Sequence, residues 1–481
     1  MESTENITAR SLALDAMIRI MDRGEYSDKV LHEILEKNSQ LSKRDRAFFT
    51  RLVQGTTERC LELDYIIDRY AKTPVRKMKP TVREILRLAV YQIMYMDQVP
   101  ESAACNEAVK LTVARKLMPL KNFVNGILRN VARFREDIPY PSRKGNPVKH
   151  FSVWYSMPEW IVEHFLREYG DKETEKILQS FLERENATTV RCNLAQASRE
   201  QIVSSLEKQG VQVEMGRYFD YALHLSGYGR LTELEAFEKG WIQVQDESSM
   251  LVGQLAELKP GSMVIDVCAA PGGKSLHVAD RLLQMESAAM TADRGGETEN
   301  GENTPQAGMV WACDISKEKV ALIRQNVIRT GIHNVKLKKQ DATILREEWT
   351  GKADLVIADL PCSGLGVMGN KSDIKYKTKE QDISSLANQQ KKILSVVSQY
   401  VKPGGMLLYS TCTIARKENE DNVHWIEENL QFERVSIEKD LPEILKHKTG
   451  LDGYIQILPQ MAGTDGFFVS AFRRFPASEK A

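Results

Sequence analysis

From Gly240 onward, short apolar β-rich runs alternate with longer stretches of helical periodicity, and no other feature limits the fold as strongly. The runs are 263–267 (MVIDV), 309–313 (MVWAC), 335–337, 354–358 (DLVIA) and 406–410 (MLLYS), and helical stretches follow at 274–285, 316–330, 380–401 and 417–430. Unbroken apolar strands suit burial on both faces, and strand–helix alternation builds an open, mostly parallel sheet with helices on both sides. The expected class is therefore α/β for 241–475, with ligands at the carboxyl edge of the sheet. One stretch interrupts the rhythm. Residues 286–308 carry five acids against one Arg and little apolar content, and read as a flexible acidic insert of low functional weight.

The preceding half has a different character. Apolar residues recur at helical spacing through 8–135, as in Leu12, Ala16 and Ile20, in Phe48, Phe49, Leu52 and Val53, and in Ile85, Leu86, Ala89, Val90 and Ile93. Ser42, Pro80 and Pro100 stand where helices should start. The Pro/Ser/Gly-punctuated stretch 139–147 reads as a linker. Beyond it, TTVRCNL (188–194), a helical pattern over 199–209 and the run VQVEM suggest a small α+β module, either an RNA platform or a spacer. At roughly 150 residues per domain, 481 residues divide into an all-α domain (1–140), the α+β module (150–240) and the α/β domain (241–475).

Charge adds a clue to partners. The whole chain balances 66 basic against 66 acidic residues, yet Arg69–Arg135 holds fourteen Lys/Arg against four acids. Such a local excess attracts nucleic acid independently of base sequence, although a solvated helical face has the same composition. No apolar run approaches the ~18 residues that span a bilayer, and the opening MESTENITAR has no apolar signal core, so a cytoplasmic protein without membrane contact is expected. Seven cysteines, an odd number with no C-x-x-C pair, argue against a disulfide framework and a zinc site. No metal is expected, and thiol chemistry stays open.

A nucleoside site can be read from the strand ends. MVIDV runs into Cys268-Ala269-Ala270-Pro271-Gly272-Gly273-Lys274, whose glycines admit a ligand close to the backbone at a helix N-terminus. The spacing is neither G-x-G-x-x-G nor a P-loop, since Cys268 stands where a P-loop needs Gly, so a nicotinamide dehydrogenase and an ATP site are both disfavoured. Asp314, Asp341 and Asp359 each end a strand. An acid after the second strand suits a ribose diol, and one after the third can accept from an exocyclic amine. Helix capping explains any one of them equally well, but three in succession behind a Gly-Gly turn favour a nucleoside cofactor. Asp314 lies 42 residues after Gly272, against roughly 20 in a compact unit, and the insert accounts for most of the excess.

Two cysteines fall at the same edge, Cys362 in DLPCSG and Cys412 in YSTCT. A lone cysteine is more often a small buried hydrophobe, but a pair beside a cofactor site points to chemistry. CAAPGGK, ADLPCSG and YSTCT, in this order, resemble the RNA cytosine-C5 methyltransferases, as do VQDESSM (244–250) and GTDGFFVSAF (463–472). The N-terminal 135 residues resemble the helical RNA-binding fold of the antitermination protein NusB, through runs such as VPESAACNEAVKL and FVNGILRNV.

The resemblance implies a Rossmann-like S-adenosylmethionine-dependent domain behind a NusB-like domain. It also implies small-subunit ribosomal RNA as partner, with cytosine 967 of 16S rRNA as the target, and a monomeric enzyme. Cytosine C5 is a poor nucleophile, and a thiolate added at C6 makes it enamine-like. The resemblance assigns that thiolate to Cys412, recognition of the cytosine N3/N4 edge to Asp359, and assistance in the closing elimination to Cys362. It places Cys268 to Lys274, Asp314, Asp341 and Asp359 around the cofactor. Lys274 reads as a contact to cofactor or substrate, and Glu418 and Asn419 either brace the STCT turn or cap a helix. Lys371, Lys375, Lys377 and Lys379 are phosphate contacts or merely solvated. Alternatives are a DNA or tRNA enzyme attacking with Cys362, methylation of another RNA, and a non-catalytic RNA-binding factor on an inactive methyltransferase fold.

Overall fold

The computed structural model describes residues 8–183, 187–293, 307–446, 452–461 and 463–476. The chain forms two compact units: 1–184 with 368–380, and 185–367 with 381–481.

The first unit is helical, as the 3.6-residue periodicity requires. Its helices include Ala9–Met17, Ser27–Lys37, Lys43–Glu58, Cys60–Tyr70, Pro80–Tyr95, Glu101–Ala114 and Lys121–Arg133. The Ser42 side chain accepts from the Asp45 N–H, capping the third of these. Leu14, Phe49, Leu52, Val53, Ile66, Leu86 and Leu128 are buried together in one core. Helices Pro147–Trp154 and Glu159–Leu182 belong to this unit as well. Residues 150–184 therefore go with the helices, whereas the sequence suggested a module beginning at 150. The physical reason is local: the Leu61 N–H donates to Ser156 Oγ at 3.0 Å, and the Tyr140 hydroxyl donates to Glu62 at 2.7 Å.

Pro80–Tyr95 carries charge into that core. Glu84 is fully buried and Arg87 nearly so; Arg87 donates to Glu84 at 2.7 Å and to both oxygens of Asp64 at 2.7 and 2.6 Å. Burial pushes the Glu84 carboxyl up to about 7, with Arg87 and Arg83 offsetting part of the cost. Residues 368–380 complete the unit. Asp373 accepts from the Ser27 hydroxyl at 2.6 Å, Lys375 donates to the Glu58 carbonyl at 2.7 Å, and Lys377 donates to the Glu25 carbonyl at 2.8 Å. Lys375 and Lys377 are thus committed within the protein, a correction to their reading as phosphate contacts. Ten basic residues of the 69–135 stretch do face solvent: Arg69, Lys72, Arg76, Lys77, Lys79, Lys110, Lys116, Lys121, Arg129 and Arg133.

The second unit holds two sheets. β1 (Thr188–Cys192), β2 (Gln212–Met215), β3 (Ala222–Ser226) and β4 (Ile242–Val244) form an antiparallel sheet in the order β2-β3-β1-β4. Arg199–Lys208 lies between β1 and β2 and opens with a capping box from Ser198 and Gln201. This sheet is fastened to the α/β domain by buried charge. Arg191, with no exposed surface, meets Asp280 at 3.2 Å and donates to Gln245 at 3.1 Å. Glu247 accepts from His224 at 2.7 Å and from the Arg217 and Tyr218 N–H groups at 2.9 and 2.7 Å.

The α/β sheet comprises β5 (Met263–Asp266), β6 (Met309–Asp314), β7 (Val335–Lys339), β8 (Ala353–Asp359), β9 (Val401–Thr411), β10 (Phe432–Arg434), β11 (Tyr454–Ile457) and β12 (Phe467–Arg474). β7-β6-β5-β8-β9 are parallel, as the alternation predicts. β12 pairs antiparallel with β9, and β10 and β11 pair antiparallel with β12, which makes the sheet mixed. Helix Gly273–Asp293 runs into the segment read as a loop from 286; the side chain of Glu286 accepts from Gly308 N–H. Residues 294–306 of that insert lie outside the described residues.

Glu84 gives the helical unit a pH signature. A carboxyl whose folded pKa of about 7 exceeds its ordinary 4.5 stabilises the fold fully below pH 4.5 and loses that contribution as pH rises through 7. Amide exchange of Ile85–Ile93 at pH 5 and pH 7.5 should therefore show protection falling with pH in the wild type, and a flatter response in Glu84→Gln.

Candidate active site

The parallel register fixes the site. Asp359 of β8 stands opposite Ser410 of β9, so the chain leaving β8 through Pro361 and Cys362 runs beside the end of β9 that carries Cys412. The two sulfurs lie 3.2 Å apart, within reach of an S–H···S hydrogen bond. Both thiols are partly exposed, whereas Cys60, Cys105, Cys192 and Cys313 are buried.

The sheet edge also gathers the acid and a base partner. Lys274, from the start of the helix after β5, meets Asp359 Oδ2 at 2.7 Å, and Ser410 Oγ donates to Asp359 Oδ1 at 2.8 Å. Burial alone would depress the Lys274 ammonium, but the Asp359 carboxylate outweighs it and the pKa is raised. Lys274 therefore stays cationic, and its field attracts a Cys412 thiolate. Cys362 is the opposite case. Its hydrogen bond to Cys412, then burial, then the charge of Cys412 push its pKa well above the usual thiol value. Cys362 is thus held protonated beside Cys412.

The putting-together of these loops rests on two glycines. Gly366 N–H donates to the Cys412 carbonyl at 3.1 Å and Gly466 N–H donates to the Gly366 carbonyl at 2.9 Å, joining the Pro-Cys loop, the STCT strand end and the loop before β12. A Cβ on Gly366 would overlap the Gly466 carbonyl oxygen and lie 2.8 Å from the Cys412 carbonyl oxygen. Neither glycine was singled out from the sequence, because nothing in its local pattern announces a contact made across a hundred residues. Asn419 Oδ1 accepts from Thr411 Oγ1 at 2.6 Å and its amide donates to the Thr413 carbonyl at 3.0 Å, so it braces the STCT turn.

At the neighbouring strand ends the loop after β5 forms a cradle. Gly272 sits at φ +109°, where side chains are strained, and a Cβ there would come within 3.2 Å of Ile323. The loop is tied to β6: Ala269 N–H donates to the Cys313 carbonyl at 2.8 Å, and Ala270 N–H donates to Asp314 Oδ2 at 3.1 Å. Asp314 also accepts from Ile315 N–H at 2.8 Å and meets Lys319 at 3.3 Å. A carboxylate has about four acceptor positions, so capacity for a further donor remains. Asp341 Oδ1 closes a turn on the Thr343 N–H and hydroxyl at 2.9 and 2.6 Å, which holds its carboxyl below the usual range. Cys268 lies between these acids with burial pushing its thiol up. The structure thus places Cys268 to Gly273 with Asp314 in one cradle, and Lys274, Asp359, Cys362 and Cys412 in a second group next to it. Asp266, missed in the sequence, lies beneath both; burial raises its carboxyl to about 7 and Ser275 Oγ donates to it at 2.6 Å.

Gly366→Ala should test the joint. Forcing a methyl into backbone at this packing costs about 1–3 kcal/mol. Urea unfolding should show that loss, with the Cys412 alkylation rate by iodoacetamide changed in the same variant.

Comparison with known proteins covers the whole chain. Residues 288–473 match the family described as 16S rRNA methyltransferase RsmB/F, 7–133 match the NusB family, and 157–232 match the ferredoxin-like domain of RsmF/B-like methyltransferases. The chain is 35% identical over 470 residues to the probable ribosomal RNA small subunit methyltransferase B of Bacillus subtilis, covering 97% of this chain and 99% of that one. It is 31% identical to the protein of the same description from Synechocystis, covering 97% and 100%. The crystal structure of PH0851 superposes with a TM-score of 0.78 at 25% identity over 98% of this chain and 99% of that one. NSun6 from Pyrococcus horikoshii, solved with SFG, shares the fold at a TM-score of 0.55 and 22% identity, over 66% of this chain and 98% of that one.

Proposed function

The chain belongs to the 16S rRNA methyltransferase RsmB/F family, and on that premise we propose that it transfers a methyl group from S-adenosylmethionine to C5 of a cytosine in small-subunit ribosomal RNA, with cytosine 967 of 16S rRNA as the target. The observation that carries this reading is the pair of sulfurs 3.2 Å apart beside the Lys274–Asp359 ion pair. A single-displacement methyl transfer has no use for two thiols in contact, whereas addition and elimination at a pyrimidine can use one as nucleophile and the other to assist the elimination.

S-adenosylmethionine supplies an electrophilic methyl group when bound. Gly272 and Gly273 would let it approach the backbone, Asp314 would accept from its ribose hydroxyls and Asp341 from its amine, while Cys268, Ala269, Ala270 and Pro271 form the wall between them. The thiolate of Cys412, favoured by Lys274, forms a bond to cytosine C6, and the electron pair it displaces makes C5 nucleophilic. Asp359 accepts from the N3/N4 edge and stabilises the charge that develops there. After methylation, the C5 proton leaves, the C5–C6 double bond re-forms and the C6–sulfur bond breaks to return Cys412.

The thiol pair suits that order. The Cys362 proton is held first by the hydrogen bond to Cys412, then by burial and by the charges of Cys412 and Glu418, so two of these four causes depend on Cys412. Once Cys412 is bonded to carbon it carries no charge and is a weaker acceptor. Cys362 can then lose its proton to water and accept the one from C5.

The target base lies within RNA, so it must be unstacked before it reaches this pocket. The ten exposed cations of 69–135 supply phosphate attraction for the flanking strand, and the β1–β4 sheet is a second platform. Among the described residues no helix is long and apolar enough to cross a membrane; the reading is of a monomeric enzyme that meets its RNA in the cytoplasm.

Methyl transfer from labelled S-adenosylmethionine to small-subunit rRNA tests the reading. Wild type should label the RNA, Cys412→Ala should fall by at least about 10³-fold, and Cys362→Ala should accumulate a covalent protein–RNA band on a denaturing gel. An active Cys412→Ala with a dead Cys362→Ala would overturn the assignment of the nucleophile.

A further inference from the structure

Glu418 has no exposed surface, and its carboxylate reaches the segments that carry both thiols. Oε2 accepts from the Ser363 backbone N–H at 3.0 Å and from the Gln390 amide at 3.0 Å, and Oε1 accepts from the Ser363 hydroxyl. The oxygen of that hydroxyl lies 2.7 Å from Thr413 Oγ1. Ser363 directly follows Cys362, and Thr413 directly follows Cys412. The same Gln390 amide donates to the Pro361 carbonyl at 2.8 Å, and the Tyr409 hydroxyl donates to the Glu418 carbonyl. One buried acid therefore ties the residues on either side of Cys362 to the strand that presents Cys412.

Burying a carboxylate is unfavourable unless donors surround it. Here the groups that face it are two N–H groups and an O–H, a set that only an acceptor on both oxygens can satisfy. An amide in its place would turn an NH2 toward one of these donors. Helix capping does not require this arrangement, since the carboxylate is spent on Ser363 and Gln390 and not on the helix that begins at Glu420.

We infer that Glu418 is a positioning residue for the thiol pair: through Ser363 it locks the Pro361–Ser363 loop to the end of β9 in the register that brings the two sulfurs into contact. The inference rests on the reading that Cys412 and Cys362 act in turn, and gives that reading its geometric support. Glu418 positions the pair through Ser363 and Thr413, and its charge also helps hold the Cys362 proton.

The test uses the full chain as wild type, Glu418→Gln, Ser363→Ala and the double variant. The first readout needs no RNA: diamide takes one hydrogen from each thiol of Cys362 and Cys412, becomes the hydrazine and leaves a disulfide, which mass spectrometry of peptides follows in time. The second is single-turnover methyl transfer to small-subunit rRNA, and the third is S-adenosylmethionine affinity by calorimetry. Misplacing reacting groups by an ångström costs about 100-fold, so Glu418→Gln should slow disulfide closure and methyl transfer by about that factor, with cofactor affinity and the KM for RNA unchanged. Ser363→Ala should move the same two rates, and the double variant should be no worse than the more damaged single one, because both act through one contact.

Disulfide closure at the wild-type rate in both single variants would overturn the inference. So would a loss carried wholly by KM or by cofactor affinity. If Glu418→Gln does not fold, Ser363→Ala decides by the same criteria. A wild type that closes the disulfide but methylates no RNA overturns the proposed function and leaves the disulfide arm to judge Glu418 alone.

Discussion

The pairing of β8 with β9 sets Asp359 against Ser410, and the chemistry of the second unit depends on that register. Each strand delivers one thiol a few residues beyond its end, so a shift of one position would turn the flanking side chains to the other face and separate the sulfurs. Parallel strands this deep in a sheet cannot slip easily: Leu355, Val356, Ile357, Leu407 and Leu408 are fully buried, and sliding them would expose one apolar face while burying polar neighbours. The core thus fixes the coarse alignment of the two loops, and hydrogen bonds at the edge fix the last ångström. Gly366, Gly466, Asn419 and Glu418 are the residues that do so.

This division explains what could be read without coordinates. The parallel strands were legible because burial on both faces leaves an apolar run in the chain, and the strand-end acids and thiols were legible because loop residues at a sheet edge follow directly from it. β10, β11 and β12 were not read as strands. FER is too short to show a period, and FFVSAF contains a continuous apolar run whose direction of pairing no local pattern records. The start of the small module is a different case, since the ferredoxin-like match begins at 157 while contacts group the chain up to 184 with the first unit. Helices Pro147–Trp154 and Glu159–Leu182 follow a Pro/Gly-rich stretch that looks like a boundary, but Tyr140 and Ser156 bond back to Glu62 and Leu61. Punctuation in sequence marks a turn in the chain, and only the partners beyond it show whether a unit has ended.

Lysines 375 and 377 make the same point for charge. A run of four lysines within nine residues has the composition of a phosphate clamp, yet two of the ammonium groups are satisfied by main-chain carbonyls of the helical unit. Counting charges gives the right answer for 69–135 because most of those side chains have no local acid or carbonyl to collect them. The exceptions there are Arg83 and Arg87, which point inward to Glu84 and Asp64, and Lys110, Arg115 and Arg135, which pair with Glu107, Asp15 and Glu101. Net charge therefore describes a surface only after the buried pairs have been removed from the count.

Buried charge recurs wherever this chain must hold two pieces in one arrangement. Arg191 and Asp280 join the β1–β4 sheet to the helix that follows the loop after β5, and Glu247 gathers His224 and the turn at 217–218 onto the helix that precedes β5. Apolar contacts at these joints would be as stable or more so, but they tolerate sliding, since one methyl group packs nearly as well as the next. A carboxylate with two or three directional donors has a single satisfied geometry. The β1–β4 sheet is thereby held at a fixed distance from the strand ends, so RNA bound along it would meet the thiol pair in a constant frame. Glu418 applies the same device within the site, where the tolerance is smallest because the two sulfurs held in contact come from two different loops.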